Sequence, residues 1–441
     1  MREVCDRRGR VGEGVLNAEA AGFERIDGAL RCEGVPLEAI ADVVGTPTYV
    51  YSAAVIRERY RRLESALHAV PHRIHYTLKA NSSPGVLRTL RELGAGADVV
   101  SGGELHRALR AGFTGKDIVF GGVGKTEREL REGLEADVLF FNVESEGELL
   151  LLDRIAAELG RKACVSLRVN PEITVEAAHD YIKTGERGHK FGIPYDEALS
   201  AARLARDLPS TVLVGVDMHL GSQLTSLEPY RRGTERLVML CLAIQGEGVD
   251  TLAYLDIGGG LGVRYFAEDE PDVEQFSDVV VPALRRTGLK LLMEPGRFIV
   301  GNAGVLLSRV LYRKRSGGKE HLVADAGMTE LLRPSHYNAY HRIEAVRARE
   351  ETIVADVVGP VCESGDFLAL GREIHAVIPG DLLAVFDVGA YGYVMSSNYN
   401  TRPRAAEVLV DGDRFAIVTE REQYEDLVRT EVLKPTWRRP E

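Results

Sequence analysis

The sequence predicts an α/β chain built from a (β/α)8 barrel of the TIM type and a C-terminal antiparallel β domain. Eight short apolar runs, each ending in a polar residue or glycine, recur between residues 74 and 297. Amphipathic helical patterns fill the gaps between them. Strands that alternate with helices indicate a parallel sheet, and eight such units in about 250 residues indicate a barrel. An open doubly wound sheet is the alternative on pattern alone.

The eight runs are the predicted barrel strands. They are "IHYTLKAN" (74–81), "ADVVSGG" (97–103), "DIVFGG" (117–122), "DVLFFNV" (137–143), "CVSLRVNP" (164–171), "VGVDMHLGS" (214–222), "LAYLDIGGG" (252–260) and "LKLLMEPGR" (289–297). The helices between them carry recognisable ends. "PGVLRTLRELG" begins with proline and ends with glycine, and Thr126 with Glu129 has the spacing of a capping box.

The pattern changes after about residue 310, where strand-like segments follow one another with Gly, Asp and Pro turns and no long helix between them. This is typical of an antiparallel β domain. We predict that residues 46–310 form the barrel. Residues 1–45 and 311–441 would form a β-sandwich or β-barrel domain.

Composition excludes several classes of partner. The 55 basic and 66 acidic residues give a net charge of −11, which disfavours nucleic acid and anionic membranes. The start has no apolar signal-peptide core, and no run of 18 apolar residues predicts a membrane span. The five cysteines are scattered without a CxxC pair, which suits a reducing cytoplasm and predicts neither disulfides nor a metal site.

The active site of such a barrel lies at the carboxyl ends of its strands. Those ends carry Lys79, Ser101, Gly121, Asn142, Asn170, His219, Asp256 and Glu294. A lysine at a strand end commonly reaches solvent, but burial lowers the pKa of an amine and makes it a nucleophile. Glycines 258, 259, 260 and 262 and then Arg297 follow the last two strands, where such barrels often bind phosphate.

A buried lysine, a phosphate loop and an acid together indicate pyridoxal 5'-phosphate, with Glu294 as partner of the pyridine nitrogen. His219 either stacks on the ring or is a hydrogen-bonded structural histidine.

Seven motifs lie between residues 76 and 404: "YTLKAN", "HLGSQL", "DIGGGLG", "EPGRFIV", "RPSHYNAYH", "GPVCESGDFLA" and "GAYGYVMSSNYNTRPR". Together they resemble the diaminopimelate decarboxylase family, which belongs to the alanine-racemase-like (fold type III) pyridoxal-phosphate enzymes. The resemblance implies decarboxylation of meso-2,6-diaminopimelate at its D-centre to L-lysine and CO2, the last step of lysine biosynthesis. It also implies a homodimer in which the "CESGD" loop completes the partner's site.

The resemblance also implies a role for each matching position. The catalytic residues would be Lys79, which holds the cofactor, His219, and Cys362 as a proton donor. The cofactor-binding residues would be Lys79, His219, Ser222, Gly258, Gly259, Gly260, Glu294, Pro295, Gly296, Arg297 and Tyr391. The substrate-binding residues would be Arg297, Arg333, Tyr337, Glu363 and Tyr391.

Three alternatives remain at this point. A related decarboxylase would act on ornithine, arginine or a carboxylated polyamine, substrates that lack a distal carboxylate and do not need Arg333. A racemase needs two opposed proton-transfer groups, and the "CESGD" segment argues against it. An inactive, partner-binding homologue would lack cofactor residues that are present here. Three departures from the family pattern, His189, His336 and Asn338, bear on substrate preference.

Overall fold

The computed structural model describes residues 22–173 and 190–439, and its first part is a small sheet docked on the C-terminal domain. The elements in order are β1 (Phe23–Ile26), β2 (Ala29–Cys32), β3 (Val35–Pro36), α1 (Leu37–Val44) and β4 (Thr48–Ser52). The Leu30 N–H donates to the Val346 carbonyl at 2.8 Å, and the Gly34 N–H donates to the Gly412 carbonyl at 2.9 Å. These bonds tie the first segment to strands near the other end of the chain.

Eight parallel strands close into the predicted barrel. They are β5 (His72–Thr77), β6 (Gly96–Val99), β7 (Ile118–Phe120), β8 (Phe140–Val143), β9 (Ala163–Asn170), β11 (Thr211–Asp217), β12 (Tyr254–Asp256) and β13 (Lys290–Met293). A two-residue strand, β10 (Ile193–Pro194), pairs with β9 outside this ring. Because β13 pairs in parallel with β5 and β8 with β9, the sheet has no open edge, and the prediction of a barrel is confirmed.

Helices cover the outside of the barrel. They are α2 (Ala53–Ala66), α3 (Pro84–Glu92), α4 (Gly102–Arg110), α5 (Glu127–Glu135), α6 (Glu146–Glu158), α7 (Ala198–Asp207), α8 (Glu228–Gly246), α9 (Val273–Leu284) and α10 (Arg297–Val300). The capping box predicted for α5 is present, because the Thr126 N–H donates to Glu129 Oε2 at 2.9 Å and the Glu129 N–H donates to Thr126 Oγ1 at 3.3 Å.

The barrel interior has an apolar layer beneath a polar one. Val119, Phe140 and Leu292 form a buried cluster separate from the main core. Side chains alternate between the two faces of a strand, so residues two positions further along point into the same interior. Those positions on β8 and β13 are Asn142 and Glu294, both buried. The apolar layer therefore supports a polar floor at the carboxyl ends of the strands.

The C-terminal domain is a second, mainly antiparallel sheet. Its strands and helices are β14 (Gly304–Ser316), β15 (Lys319–Ala324), α11 (Arg333–Tyr337), β16 (Ile343–Ala345), β17 (Thr352–Val358), β18 (Phe367–His375), β19 (Leu382–Val385), β20 (Ala406–Asp411), β21 (Arg414–Thr419) and α12 (Tyr424–Val428). Two of its pairings are parallel, β15 with β17 and β20 with β4.

The strand β4 lies inside the predicted barrel range 46–310, yet it pairs with β14 and β20 of the second sheet. The chain thus contributes a strand to the C-terminal sheet before it enters the barrel. The division of the chain at residues 46 and 310 stays a prediction.

Candidate active site

The site lies in a cavity at the carboxyl ends of the barrel strands. The cavity is lined by Lys79, Asp98, Val100, Gly121, Gly122, Asn142, Arg168, Asp217, His219 and Glu294. Three residues predicted from the sequence, Lys79, His219 and Glu294, therefore meet in one place. Lys79 and His219 keep part of their surface exposed, whereas Glu294 is buried. Lys79 thus lines the cavity above a buried acidic floor.

The sequence-based expectation of a lowered lysine pKa is wrong for this chain without a ligand. Burial lowers the pKa of the Lys79 amine, but Tyr391, Asp98 and Glu294 raise it by more, so the pKa lies above its ordinary value. Lys79 is therefore a cation held by nearby acids. A substrate or cofactor that changes the charge of this cavity will change the state of the lysine.

Acidic side chains are in excess on the cavity floor. Oxygen atoms of Asp217, Asp256 and Glu294 all lie within 4.8 Å of one another. Asn142 Nδ2 donates to Glu294 Oε1 at 3.2 Å, while among the described residues Asp217 Oδ1 and Asp256 Oδ2 have no hydrogen-bond partner. Burial and then the neighbouring acids raise the pKa of Glu294 well above its usual range, and burial raises that of Asp256 to about 7. The floor is suited to a cationic group.

His219 is a neutral ring beside this floor. Its Nδ1 accepts a hydrogen bond of 3.3 Å from the Gly259 N–H, so the ring carries its proton on Nε2. Burial, and then Lys79 and Arg168, hold the pKa of His219 well below its ordinary value. A neutral imidazole whose orientation is fixed by the backbone is suited to packing against another flat ring.

The glycine loop after β12 is packed tightly against its neighbours. A Cβ at Gly259 would lie 2.2 Å from the Glu294 carbonyl oxygen, and one at Gly260 would lie 2.5 Å from the Gly221 carbonyl oxygen. Gly258 has the same constraint, with a Cβ position 2.3 Å from the Met218 carbonyl oxygen. Within the described ranges the Gly260 N–H has no hydrogen-bond partner, which leaves a backbone donor for an anion.

The segment after β13 is held against β5. The Thr77 N–H donates to the Pro295 carbonyl at 3.3 Å, and a Cβ at Gly296 would lie 2.5 Å from Thr77 Cγ2. This close approach places Arg297, the next residue, beside the site. Pro295 and Gly296 therefore position the arginine in this structure.

Two buried arginines lie side by side above the glycine loop. Arg297 and Arg333 are each 7% exposed. Arg297 Nη1 donates to the Tyr265 hydroxyl at 2.6 Å and Nη2 to Ser222 Oγ at 3.1 Å. The Arg333 guanidinium lies 4.6 Å from the centroid of the Tyr265 ring. In the part of the chain that the structure describes, neither arginine forms an ion pair with a carboxylate.

Tyr391 connects the lysine to the arginine pair. Its N–H donates to the Ala80 carbonyl at 2.8 Å, and the Arg297 guanidinium lies 4.6 Å from the centroid of its ring. Tyr391 has a φ of 58°, in the left-handed region, which directs its ring while its backbone remains bound to the strand end. Tyr337 also contributes to the electrostatic environment of Arg297.

Cys362 and Glu363, both predicted site residues, line neither this cavity nor the arginine pair. Cys362 and Glu363 occupy an exposed turn between β17 and β18, where the Cys362 N–H donates to Asn400 Oδ1 at 2.9 Å. His336 is exposed on α11. Asn338 ends that helix with a φ of 51°, a conformation that asparagine and glycine adopt most readily. His189 lies outside the described residues.

Comparison with known proteins identifies the family. Residues 53–301 match the pyridoxal binding domain of pyridoxal-dependent decarboxylases. The chain is 50% identical to the diaminopimelate decarboxylase of Pseudomonas aeruginosa, over 94% of this chain and 99% of that protein. It is 47% identical to that of Aquifex aeolicus, over 92% of this chain and 96% of that protein. The chain belongs to the diaminopimelate decarboxylase family.

The fold agrees with solved structures of this family. The crystal structure of diaminopimelate decarboxylase from Helicobacter pylori complexed with L-lysine superposes with a TM-score of 0.86 at 39% identity, covering 89% of this chain and 98% of that chain. The (β/α)8 barrel with a second, antiparallel-rich sheet is thus the fold type III architecture that the sequence predicts.

Pyridoxal phosphate is the cofactor of this family, and the residues present fit it. Lys79 offers an amine that lines the cavity, and Glu294 with its acidic neighbours offers buried carboxyl groups for a ring nitrogen. The free Gly260 N–H, Ser222 and Arg297 offer donors for a phosphate. The chain therefore has a suitable group for each of three parts of the cofactor: its aldehyde, its ring nitrogen and its phosphate.

Several residues of the site were missed from the sequence. Arg168 and Asp217 each lie two positions before a strand end that had been identified, and Asp98 points into the same interior from β6. The two-residue period of a strand, followed inward from the strand ends, selects Arg168 and Asp217 but not Asp98, which lies three positions before Ser101. Tyr265 and His341 lie in irregular segments; His341 ends the motif RPSHYNAYH, but nothing in the sequence assigned it a role.

Proposed function

We propose that this chain decarboxylates meso-diaminopimelate at its D-centre and releases CO2 and L-lysine, the last step of lysine biosynthesis. The observation that carries the proposal is the pair of buried arginines, Arg297 and Arg333. Two adjacent buried cations without carboxylate partners are unfavourable unless an anion binds between or beside them. Diaminopimelate brings a distal carboxylate, whereas ornithine and arginine bring none.

The charges of the remaining site residues agree with this substrate. Arg333 and Tyr337 are proposed to hold the distal carboxylate, together with Arg297, because an arginine fork matches a carboxylate in geometry and charge. Tyr391 lies between this pair and Lys79. The substrate would therefore extend from Lys79 at its reacting end to the two arginines at its distal end.

The bond-breaking end of the reaction is assigned to the barrel floor. Pyridoxal phosphate supplies an electron sink for the electron pair that remains when CO2 departs. Lys79 would hold the cofactor through its side-chain amine, at the place where the substrate amine would bind. Glu294 is proposed to keep the ring nitrogen protonated, with Asp256 and Asp217 disfavouring loss of that proton. His219 is proposed to pack against the ring.

The decisive experiment compares substrates and one arginine variant. The protein loaded with pyridoxal phosphate is given meso-diaminopimelate, the LL isomer, ornithine or arginine, and CO2 and L-lysine are measured. We expect turnover of the meso isomer alone. Arg333→Met should lower kcat/KM by on the order of 100-fold, mainly through KM, because hydrogen bonds to a charged group contribute about 1.5–3 kcal/mol each.

The matched control is Arg349→Met, because Arg349 already has a carboxylate partner, Asp381, at 2.6 Å. Its kinetics should equal those of the wild type. Unchanged turnover of the meso isomer by Arg333→Met would remove the basis of the proposal. Turnover of ornithine or arginine by the wild type would favour the related-decarboxylase alternative instead.

We further propose a homodimer with shared sites, in which Cys362 and Glu363 act in the partner's cavity. Their exposure on a turn away from the lysine of their own chain supports this. Glu363 would take the substrate's distal ammonium, and Cys362 would return a proton to the reacting carbon. Mixing inactive Lys79→Ala and Glu363→Ala proteins should restore about a quarter of the wild-type activity, since half of the dimers then hold one intact site. Absence of recovery despite proven subunit exchange would argue for sites within one chain.

A cytoplasmic location is also proposed. No helix in the described ranges combines the length and apolar character needed to cross a bilayer. Four of the scattered cysteines are free thiols in the structure. Cell fractionation tests this location, and recovery of the protein in the membrane fraction would reject it.

A further inference from the structure

His341 is a fully buried histidine that contacts Arg333 and is not among the residues assigned a role above. Its Nδ1 lies 2.8 Å from the Phe386 carbonyl oxygen, and its Nε2 lies 2.9 Å from Arg333 Nη1. A carbonyl only accepts hydrogen bonds, so Nδ1 carries the proton. A guanidinium only donates, so Nε2 must present its lone pair. The two contacts together are possible only for the neutral ring.

Tyr265 holds the same arginine pair from another side. Its ring lies under the Arg333 guanidinium and meets the His341 ring edge-on, with centroids 5.5 Å apart and planes at 76°. Its hydroxyl accepts the 2.6 Å hydrogen bond from Arg297. Tyr265 therefore contacts both arginines at once. The His341–Tyr265 clamp, as we call these two residues, orients two guanidinium groups through neutral partners alone.

The clamp residues are uncharged, whereas a buried arginine is usually paired with a carboxylate. Arg168, elsewhere in the site, pairs with Glu144 at 2.7 Å, and Arg342 near the clamp pairs with Glu344. A carboxylate partner fixes an arginine but cancels its charge for any incoming anion. A neutral acceptor fixes the direction of the fork and leaves the charge available.

We propose that His341 and Tyr265 are positioning residues that hold the guanidinium groups of Arg333 and Arg297 without cancelling their positive charge. The absence of charge on these two partners sets the preference for substrates with a distal carboxylate. The inference rests on the proposed function and deepens it. The charged groups that act on the His341 ring are Arg333, Arg297 and Arg372, whose Nη1 donates to the His341 carbonyl at 2.9 Å. The buried Asp387, which accepts from Asn302 Nδ2 at 2.7 Å, also acts electrostatically on Arg333, but within the described residues the two form no ion pair. Burial and then Arg333 keep the pKa of His341 well below its ordinary value, so the ring stays neutral near pH 7.

Two substitutions separate a charge effect from a packing effect. In H341Q the amide can donate to the Phe386 carbonyl and accept from Arg333, so a neutral acceptor is retained. In H341E the side chain can accept from Arg333 but cancels its charge. H375Q is the matched control, because His375 is a buried histidine of the same domain with Nδ1 2.9 Å from the Arg349 carbonyl and, in the described part of the chain, no partner on Nε2.

Two measurements are made on the enzyme loaded with pyridoxal phosphate. Steady-state kinetics with meso-diaminopimelate give KM and kcat separately. Calorimetry gives the Kd of L-lysine, which has a carboxylate, and of cadaverine, which has none. We expect H341E to raise KM and the Kd of L-lysine by at least about tenfold, with kcat and cadaverine binding changed less than about threefold. H341Q and H375Q should stay within about threefold of the wild type.

The inference is overturned if H341E and H341Q bind L-lysine equally, or if H341E weakens cadaverine as much as L-lysine. If H341E does not fold, Tyr265→Phe decides: it removes only the hydroxyl that accepts from Arg297. An unchanged KM in Tyr265→Phe would then refute the clamp, and a rise of about threefold or more would support it. A wild-type protein that binds L-lysine without decarboxylating diaminopimelate would reject the proposed function but leave the binding comparison valid.

Discussion

Replacing Gly259 with alanine tests whether the glycine loop is defined by close backbone contact. Gly259 has no unusual φ, so the substitution adds a methyl group without adding backbone strain. That methyl would lie 2.2 Å from the Glu294 carbonyl oxygen, whereas ordinary contact begins at 3.4 Å, so something must move by about 1.2 Å, the difference. The atom that the methyl group would contact is a backbone carbonyl oxygen, which moves less readily than the end of a flexible side chain. Overpacking of this kind costs about 1–3 kcal/mol.

The displaced groups are those that face the cofactor. Gly259 donates to His219, and the Glu294 N–H donates to the Gly258 carbonyl at 2.8 Å. We therefore expect Gly259→Ala to lower the unfolding temperature and to raise the Kd of pyridoxal phosphate by on the order of tenfold, which corresponds to about 1.4 kcal/mol. Calorimetric unfolding of the cofactor-free protein and an absorbance titration with pyridoxal phosphate measure the two effects.

Gly246→Ala is the matched control for this prediction. Gly246 ends helix α8, is exposed, and a Cβ there meets no atom within 4 Å. Alanine should be neutral or slightly stabilising at that position, because it loses less conformational freedom in a helix than glycine. If Gly259→Ala unfolds and binds pyridoxal phosphate as Gly246→Ala does, the close contact at Gly259 does not shape the site.

Two further predictions concern pH and the cofactor-free protein. The folded-state pKa of Asp256 is raised from 3.8 to about 7, so its contribution to stability is present at low pH and is lost as the pH rises through 7. Asp256→Asn should therefore stabilise the protein more at pH 8 than at pH 5. Equal shifts in unfolding temperature at the two pH values would contradict this. The pKa of the buried His75 is lowered from 6.5 to about 3, so stability is lost as the pH falls below 6.5. His75→Gln, which does not titrate, should lose less stability than the wild type between pH 6.5 and pH 5. Parallel curves of unfolding free energy against pH for the two proteins would refute this prediction.

The barrel and its lysine could be predicted from the sequence because local rules determine them. Alternating apolar residues define each strand, and the strand-end rule then selects Lys79, His219 and Glu294, which the structure brings to one cavity. Arg297 followed from the same rule. The pairing of Arg297 with Arg333 could not be predicted by pattern, because one lies in the barrel and the other after β15 of the second sheet.

Tyr265 and His341 show why the rest of the site escapes sequence analysis. Each is a common residue type in an irregular segment, and its importance lies in side-chain contacts that only the folded structure shows. For His341 those contacts are the carbonyl of Phe386 and the guanidinium of Arg333. Strand β4 was not predicted: its five buried residues lie inside the predicted barrel range, but they pair with β14 and β20 of the second sheet.

The charge distribution of the two halves of the site specifies the polarity of the ligand. On the barrel floor, Asp98, Asp217, Asp256 and Glu294 outnumber Lys79 and Arg168. Above the glycine loop the imbalance is reversed, with two arginines held by neutral partners. Each imbalance is unfavourable in the protein alone: burial and mutual repulsion raise the pKa values of the floor acids and drive them towards their neutral forms, and the two buried guanidinium groups repel each other. A ligand with a protonated ring nitrogen at one end and carboxylate or phosphate oxygens at the other relieves both, so its binding energy is coupled to folding stability. Ornithine has no distal carboxylate and leaves the charge of the two arginines without an anionic partner, so the arginine clamp favours a dicarboxylic substrate over ornithine.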